Sequence, residues 1–192
     1  MASKAPGLTA TIDEISQEID LENLIGVKVG KDKALLREIA QEVIDYMIDR
    51  TQVDRKELGG QKPLKSPYSK SYSESKDFKA AGKSRTKVDL TLSGDMLGSI
   101  DLVEESNSGF KIAIAADQTP KAFGHISGFE GHPVLRGPKR PFFGVTKDEL
   151  ITKILPKFKA DLIDIAENEA KNQKEAEKIV RKIKVILEED RS

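Results

Sequence analysis

The amino-acid sequence predicts an α+β fold: a small antiparallel β-sheet flanked by helices, with a long extended loop and a long C-terminal helix. Apolar residues recur at helical spacing in residues 33–52 and again after residue 147, and strand-like alternation occurs between residues 88 and 116. The 192 residues suit one domain with extensions. We expect three regions: an N-terminal arm over residues 1–32, an α+β core over residues 33–160, and a C-terminal helical extension over residues 161–192.

Composition narrows the class of protein. Hydrophobic residues make up 38% of the chain and charged residues 33%, which predicts a folded protein whose thin core is completed by neighbouring subunits. We expect no membrane span, because no run of ~18 apolar residues occurs. The first ten residues lack the apolar stretch of a signal peptide, and the absence of cysteine excludes disulfides and thiolate chemistry. These features predict a soluble intracellular protein.

The net charge of zero conceals segments of opposite sign. Lys and Arg counted against Asp and Glu give net charges of −4 for residues 1–60, +6 for 61–87, −5 for 88–117, +3 for 118–145 and 0 for 146–192. Such alternation favours head-to-tail contact between identical copies. A dedicated nucleic-acid binder would instead be net basic.

The N-terminal half begins with an ambiguous stretch and continues into a clear helix. Leu8, Ile12, Ile15 and Ile19 recur near helical spacing, and "IGVKVG" (25–30) has the composition of a short strand, so we interpret residues 1–32 as a peripheral arm. The helix predicted after it has one apolar stripe, made up of Leu36, Ile39, Ala40, Val43 and Met47.

Residues 61–87 have the composition of a long loop. Six serines, two prolines and eight basic residues follow neither helical nor strand spacing. The segment is far longer than the usual connection of about 4–6 residues, and loops of that length tend to be functional or disordered. Its Tyr68, Tyr72 and Phe78 are candidates for anchoring it to a partner.

Strand signals follow this loop. Val88, Leu90 and Leu92 alternate with polar residues, "SGDMLGSI" (93–100) predicts a turn and a short helix, and residues 101–105 and 110–116 predict a hairpin. Phe110, Ile112 and Ile114 should share one face. Glu104 and Glu105 are adjacent on a predicted strand, so they should point to opposite faces and cannot form a catalytic pair.

Two neighbouring phenylalanines precede the C-terminal helix. We expect Phe142 and Phe143 to form a short strand with one ring on each face, both most simply as core residues. Thr146 and Glu149 have the spacing of a capping box, which predicts a helix start. The helix should run to about residue 189, kinked at Pro156, and its apolar stripe suits packing within the chain as well as on a neighbouring subunit.

Known catalytic and ligand-binding patterns are weak in this chain. Gly82-Lys83-Ser84 ends like a phosphate-binding loop, but Asp77 stands where that motif needs its first glycine, and no buried strand precedes it. His125 and His132 lie seven residues apart with Glu130 between them, a poor metal-ligand pattern. We therefore expect no catalytic residues, cofactor or metal, and no enzyme.

The basic segment is the better candidate for function. Its lysines and interleaved aromatic rings can grip phosphates, which leaves a nucleic-acid-binding accessory protein as an alternative; contact with an acidic protein surface explains them equally well. We add Arg140, Phe142 and Phe143, which precede the C-terminal helix. The candidate interface residues are then Lys62, Lys65, Tyr68, Tyr72, Lys76, Phe78, Lys79, Lys83, Arg85, Arg140, Phe142 and Phe143.

Three ordered motifs resemble a known family. "GGQKPLKSPYSKSYSESK", then "VDLTLSGDMLGSI", then "RPFFGVTKDEL" before a helix resemble the neck and tail-completion proteins of tailed bacteriophages, often labelled phage virion morphogenesis or minor tail proteins. The matching positions are residues 60–63, 66–69, 92–100 and 140–144, and the similarity spans residues 35–165. "KAFGHISGFEGH" only approximates the corresponding family segment. The subfamily therefore stays open between a neck or head–tail joining ring, a tail terminator, and another minor tail component.

The resemblance implies a structural virion protein of the neck or tail, assembled in the host cytoplasm. It implies a homo-oligomeric ring, hexameric by preference over dodecameric, that binds connector or adaptor, stopper, tail terminator or tail tube proteins. Genomic DNA would pass through its lumen without sequence-specific contact. Residues 61–87 would extend along a neighbouring subunit or ring, and the corner at residues 140–143 would orient the helix of the ring wall.

Overall fold

Four strands form one antiparallel sheet. The structure, a computed structural model, describes residues 5–65, 67–90, 94–128, 137–170 and 173–188. The strands are β1 (Leu8–Ala10), β2 (Ile15–Asp20), β3 (Ile100–Glu105) and β4 (Gly109–Ile114). Their order across the sheet is β1-β2-β4-β3. This sheet and the helices around it confirm the predicted α+β fold, and β3 and β4 confirm the predicted hairpin.

Helices and helical turns make up much of the remaining described chain. In order they are α1 (Leu21–Ile25), a 3₁₀ turn (Val29–Lys31), α2 (Lys33–Gln52), α3 (Lys70–Ser73), α4 (Lys76–Ala80), α5 (Asp95–Gly98), α6 (Thr119–Ser127), α7 (Lys147–Glu149), a π-helical turn (Leu150–Ile154), a 3₁₀ turn (Leu155–Phe158), α8 (Lys159–Glu169) and α9 (Gln173–Glu188). None of the helices in the described ranges is long and apolar enough to cross a membrane.

Helix α2 packs on the sheet and forms the centre of the hydrophobic core with it. The predicted apolar stripe is confirmed, because Leu36, Ile39 and Val43 are fully buried. The two central strands contribute alternate residues, namely Ile15, Ile19, Phe110, Ile112 and Ile114. The helix begins where the Asp32 carboxylate accepts a hydrogen bond from the backbone N–H of Leu35 at 3.0 Å.

Residues 5–32 are part of the core rather than a peripheral arm. Strand β2 lies between β1 and β4, and Ile15, Gln17 and Ile19 on its inner face are 0–2% exposed. The apolar spacing that we interpreted as helical also fits a strand at these alternate positions. "IGVKVG" forms the end of α1 and a 3₁₀ turn instead of a strand. The strand that pairs with β2 decides this, and it lies 95 positions away, since Gln17 lies opposite Ile112.

Two other predicted strands are wrong. Val88 and Leu90 are buried but lie in irregular chain, and Leu90 has a φ of 54°, which no extended strand allows; Leu92 lies outside the described residues. Phe142 and Phe143 also lie in irregular chain, and both are 1% exposed. Both rings are therefore buried without the alternation of a strand.

The C-terminal helix is interrupted and folds back. It passes through π and 3₁₀ turns around Pro156, ends at Glu169 and begins again as α9. Helix α9 packs against α8 and α1, and its Ile183 and Leu187 are buried. The sequence left open whether the apolar stripe packs within the chain or on another subunit. The structure shows packing within the chain, so α8 and α9 belong to the core instead of forming a separate extension.

The predicted capping box is confirmed and lies in a buried polar cluster. Thr146 Oγ1 accepts a hydrogen bond from the backbone N–H of Glu149, while Glu149 Oε2 accepts one from the backbone N–H of Thr146 at 2.8 Å. The hydroxyl of Tyr46 on α2 donates to Glu149 Oε1 at 3.1 Å. The helix start is thereby joined to α2.

An ion pair completes this cluster. Arg50 Nη1 on α2 lies 2.8 Å from Glu149 Oε1, and the two side chains are only 1% and 4% exposed. Arg50 Nη2 also donates to the carbonyl oxygens of Phe142 and Gly144. One guanidinium therefore holds α2, the irregular segment before α7 and the helix start in a single arrangement.

Replacing Arg50 with alanine should lower the free energy of unfolding by ~3–5 kcal/mol, because the Glu149 carboxylate would remain buried without its cation. Urea-induced unfolding measures this. The matched control is Arg37→Ala on the same helix, where an exposed arginine pairs with Glu105 at 2.6 Å; its loss should cost at most ~1 kcal/mol. Equal losses in the two variants would contradict the central role of the buried pair.

Candidate interface

Residues 61–87, here called the basic segment, are more ordered than the predicted extended loop. Two short helices, α3 and α4, lie within the segment. The serines that looked like loop markers start these helices. Ser69 Oγ accepts from the backbone N–H of Tyr72 at 3.3 Å, and Ser75 Oγ accepts from that of Phe78 at 3.2 Å. Each helix is too short for a periodic pattern, which explains why the sequence did not predict it.

Three aromatic rings hold the basic segment together. The ring centres of Tyr68, Tyr72 and Phe78 lie 5.2–5.4 Å apart in a mutually tilted arrangement, here called the aromatic trio. Tyr68 is 6% exposed and Phe78 is 3% exposed, whereas Tyr72 keeps 36% of its surface exposed. Two of the three predicted partner anchors are therefore buried within the chain, and only Tyr72 is available to another molecule.

The Tyr68 hydroxyl connects this trio to the chain that follows the basic segment. It accepts hydrogen bonds from the backbone N–H groups of Leu90 at 3.0 Å and Asp89 at 3.3 Å. Burial, and secondarily the Asp89 carboxylate, raise the pKa of Tyr68 to about 12. The Arg85 Nε donates to the Tyr68 carbonyl oxygen at 3.0 Å, so this residue also binds the C-terminal part of the segment.

Arg140, which is not part of the basic segment, binds the backbone near its start. Its Nε donates to the carbonyl oxygen of Lys65 at 2.7 Å, and its Nη2 donates to that of Pro67 at 3.2 Å. Its guanidinium also lies 5.4 Å from the centre of the Tyr68 ring, a cation–π distance. The side chain is 3% exposed, and burial lowers the pKa of Arg140. Arg140 therefore shapes the segment and is not itself available to a partner.

Residues 141–146, here called the clamped segment, run between β2 and α2. Gln17 of β2 binds Val145 twice: its Nε2 donates to the Val145 carbonyl oxygen, and its Oε1 accepts from the Val145 N–H, both at 2.8 Å. Gly144 has a φ of +93°, which favours glycine, and its N–H lies 3.1 Å from Met47 Sδ. These contacts replace the ladder of a strand and explain how both phenylalanines of this segment can be buried.

The twelve predicted interface residues thus divide into a buried group of five, one partly buried lysine and an exposed group of six. Five are buried and build the surface from below, namely Tyr68, Phe78, Arg140, Phe142 and Phe143. Lys83 is partly buried and pairs with Asp89 at 2.7 Å. The remaining six present charge or an aromatic edge to solvent, namely Lys62, Lys65, Tyr72, Lys76, Lys79 and Arg85. The structure therefore limits direct contact to this exposed group.

The motif at residues 82–84 lies in a setting different from that of a phosphate-binding loop. Gly82-Lys83-Ser84 follows helix α4 instead of a buried strand, and Lys83 is committed to Asp89. Within the described ranges, no group of three or more His, Cys, Asp or Glu side chains could hold a metal ion. Glu130 and His132 lie outside the described residues.

His125 on α6 is a half-buried neighbour of Arg140. Its carbonyl oxygen accepts a hydrogen bond from the Arg140 backbone N–H at 2.8 Å. Burial is the main cause that lowers the pKa of the imidazole to about 4, and the positive charges of Arg140 and Lys121 act in the same direction. The imidazole is therefore neutral in the folded protein at physiological pH.

The outer face of the sheet carries acidic residues on β2 and β3, of which the sequence singled out Glu104. Glu18 on β2 and Glu104 on β3 both lie opposite Lys111 of β4, and Asp101 of β3 lies opposite Ala113. Glu105, as predicted, points the other way and pairs with Arg37 of α2. A strand-like alternation in "ISQEID" was the only signal for Glu18, and the helical interpretation of that stretch obscured it.

Comparison with models of protein families, with curated proteins and with solved structures gives no match for this chain. The resemblance to phage neck and tail-completion proteins therefore stays a prediction that depends on the quoted motifs.

Phe78→Ala should lower the free energy of unfolding by ~3–5 kcal/mol, because it empties the buried centre of the aromatic trio. The neighbouring Lys79→Ala on the same helix removes an exposed side chain and should change stability by at most ~0.5 kcal/mol. Guanidinium-induced unfolding of both variants tests whether the basic segment is an integral part of the fold. Near-equal stability of the two variants would show that it is a loose loop.

Stability should fall as the pH drops from about 6.5 towards about 4, because His125 binds a proton in the unfolded chain at its ordinary pKa but resists it when folded. The loss should be on the order of 3 kcal/mol, the free energy that corresponds to a pKa shift of this size. Urea unfolding at pH 7.5, 5.5 and 4.5 measures it. His125→Gln should flatten the curve over this range, and an unchanged slope would assign the acid sensitivity to other groups.

Proposed function

We propose that this chain is a structural virion protein of the phage head-to-tail interface. It would be a subunit of a neck, tail-completion or tail-terminator ring that joins the capsid connector to the tail around the DNA channel. The proposal begins from the three ordered motifs in the sequence. It assigns the chain no catalytic role, no cofactor and no metal.

One structural observation supports this proposal most directly: the three motifs that are separate in the sequence meet in space. Arg140 of the third motif binds the carbonyl oxygens of Lys65 and Pro67 in the first. Tyr68 of the first motif binds the backbone of Asp89 and Leu90 in the second. Motifs that build one local structure are more informative together than three unrelated matches, since each would otherwise be common by chance.

The surface around this junction suits an assembly partner. Its buried residues fix the shape, while exposed lysines present positive charge from a chain of zero net charge. In the proposed assembly the chain forms a ring of six, or alternatively twelve, copies. It stacks on connector or adaptor, stopper, tail terminator or tail tube proteins in the virion, after assembly in the host cytoplasm, and genomic DNA passes through the lumen.

The alternative function, a nucleic-acid-binding accessory protein, has less support from the geometry. Sequence-neutral binding of single strands combines a basic groove with aromatic rings on which bases stack. Burial of Tyr68 and Phe78 leaves Tyr72 as the only ring of the trio with substantial exposure. The exposed lysines alone would give weak, strongly salt-dependent binding to any polyanion.

The purified chain should assemble into rings of six or twelve copies at low ionic strength, alone or with connector and tail-tube proteins. Light scattering measures the mass, and negative-stain imaging shows whether the particle has a central channel. A gel-shift assay with duplex and single-stranded DNA at matched salt is the control for the alternative. A chain that binds DNA tightly, yet stays monomeric alone and with every virion component, would contradict the proposal.

A further inference from the structure

The outer face of the sheet is an acidic surface that is exposed at Glu18, Asp101 and Glu104. The pairing registers place Glu18, Lys111 and Glu104 in one row across three strands, with Asp101 in the next row. Lys111 is paired with Glu14 at 2.7 Å, so it does not neutralise the rest. This surface, here called the acidic face, therefore carries four carboxylates and one lysine, a net charge of −3. The carboxylates are those of Glu14, Glu18, Asp101 and Glu104.

The acidic face continues onto an open strand edge. Strand β3 pairs with β4 on one side and is the last strand of the described sheet on the other. The register shifts between Leu102 and Glu104, and the extra residue, Val103, is 56% exposed. The acidic face and Val103 together form a surface that has both a charged and an apolar component, as protein interfaces do.

The basic segment is complementary to this face. Of its eight basic residues, Lys83 pairs with Asp89 and Lys70 pairs with Glu74. The other six make no ion pair within the described part of the chain, and all six are exposed; they are Lys62, Lys65, Lys76, Lys79, Arg85 and Lys87. Tyr72, 36% exposed, adds an apolar edge to match Val103.

The two surfaces do not satisfy each other within one copy. No ion pair between described residues joins the basic segment to Glu18, Asp101 or Glu104. The aromatic trio and Arg140 hold the basic segment in place against the rest of the fold, so it is not free to swing onto the acidic face. Among the described residues, each copy therefore carries a positive surface and a negative surface that do not compensate each other, on a chain of zero net charge.

We propose that the acidic face of one copy receives the basic segment of the next copy, head to tail. This inference rests on the proposed ring function and specifies the subunit contact. A heterologous contact of this kind leaves one surface of each type unsatisfied in every open chain, and only closure into a ring satisfies all of them. Because the paired charges are exposed before assembly, the contact forms readily at low salt and weakens as ions screen it.

Two charge-reversed variants test the pairing. The first carries Lys76→Glu with Lys79→Glu, and the second carries Asp101→Lys with Glu104→Lys. Each should raise the dissociation constant for self-association by at least about tenfold, because like charges then face each other. An equal mixture of the two should recover assembly to within about threefold of the wild type, since the acidic segment of one variant meets the basic face of the other.

Analytical ultracentrifugation at low and high salt measures these constants, and thermal unfolding confirms that each variant is folded. Lys121→Glu with Lys153→Glu, which reverses two exposed charges outside both surfaces, is the matched control and should assemble like the wild type. Loss of assembly in each variant with recovery on mixing supports the inference.

The other outcomes overturn it in distinguishable ways. Wild-type rings that both variants still form would exclude these two surfaces and leave the proposed function intact. Loss without recovery on mixing would exclude their direct pairing. An effect of the first variant alone would mean that the basic segment binds another partner. A wild type that stays monomeric alone overturns the inference, and the assembly test with connector and tail-tube proteins then decides the function separately.

Discussion

The guanidinium of Arg50 carries a positive charge in an interior where only 1% of its side chain meets solvent. A charge in that position is tolerated only when its surroundings supply opposite charge and hydrogen-bond acceptors. Glu149 supplies the charge, and the carbonyl oxygens of Phe142 and Gly144 supply acceptors. The clamped segment in turn needs the arginine, because its backbone carbonyl groups have no strand partner and require hydrogen-bond donors. The arrangement of α2, the clamped segment and the start of α7 depends on these contacts of Arg50.

The same principle recurs at the basic segment with Arg140 in place of Arg50. A buried guanidinium again binds carbonyl oxygens of irregular chain, and it lies over the Tyr68 ring, which anchors the aromatic trio. Arginine suits both places because its planar fork reaches two acceptors at once, which the single ammonium of a lysine cannot do from the same position. The lysines of the segment are mostly exposed. The chain therefore uses arginine to fix shape and lysine to present charge.

The separate roles of buried arginine and exposed lysine connect the fold to the proposed assembly. A loose basic loop would lose conformational entropy on meeting a partner, whereas a segment already held by its own aromatic rings loses less. The acidic face is likewise presented by a paired sheet. Two rigid surfaces of opposite charge on one neutral chain are suited to repeated contact with identical copies, and closure of such contacts produces a ring.

The sequence predicted structure that depends on neighbouring residues, but it did not predict which distant residues contact each other. The stripe of α2, the β3–β4 hairpin and the Thr146–Glu149 capping box depend on residues within a few positions of one another, so sequence alone determined them, together with the segregation of charge. The insertion of β2 beside β4, the burial of both Phe142 and Phe143, and the choice of Glu149 as the partner of Arg50 were decided only by the tertiary structure. That ion pair joins residues 99 positions apart. Contacts at such separations form because the whole chain must bury apolar surface and satisfy its polar groups at once, and no short stretch of residues contains that information.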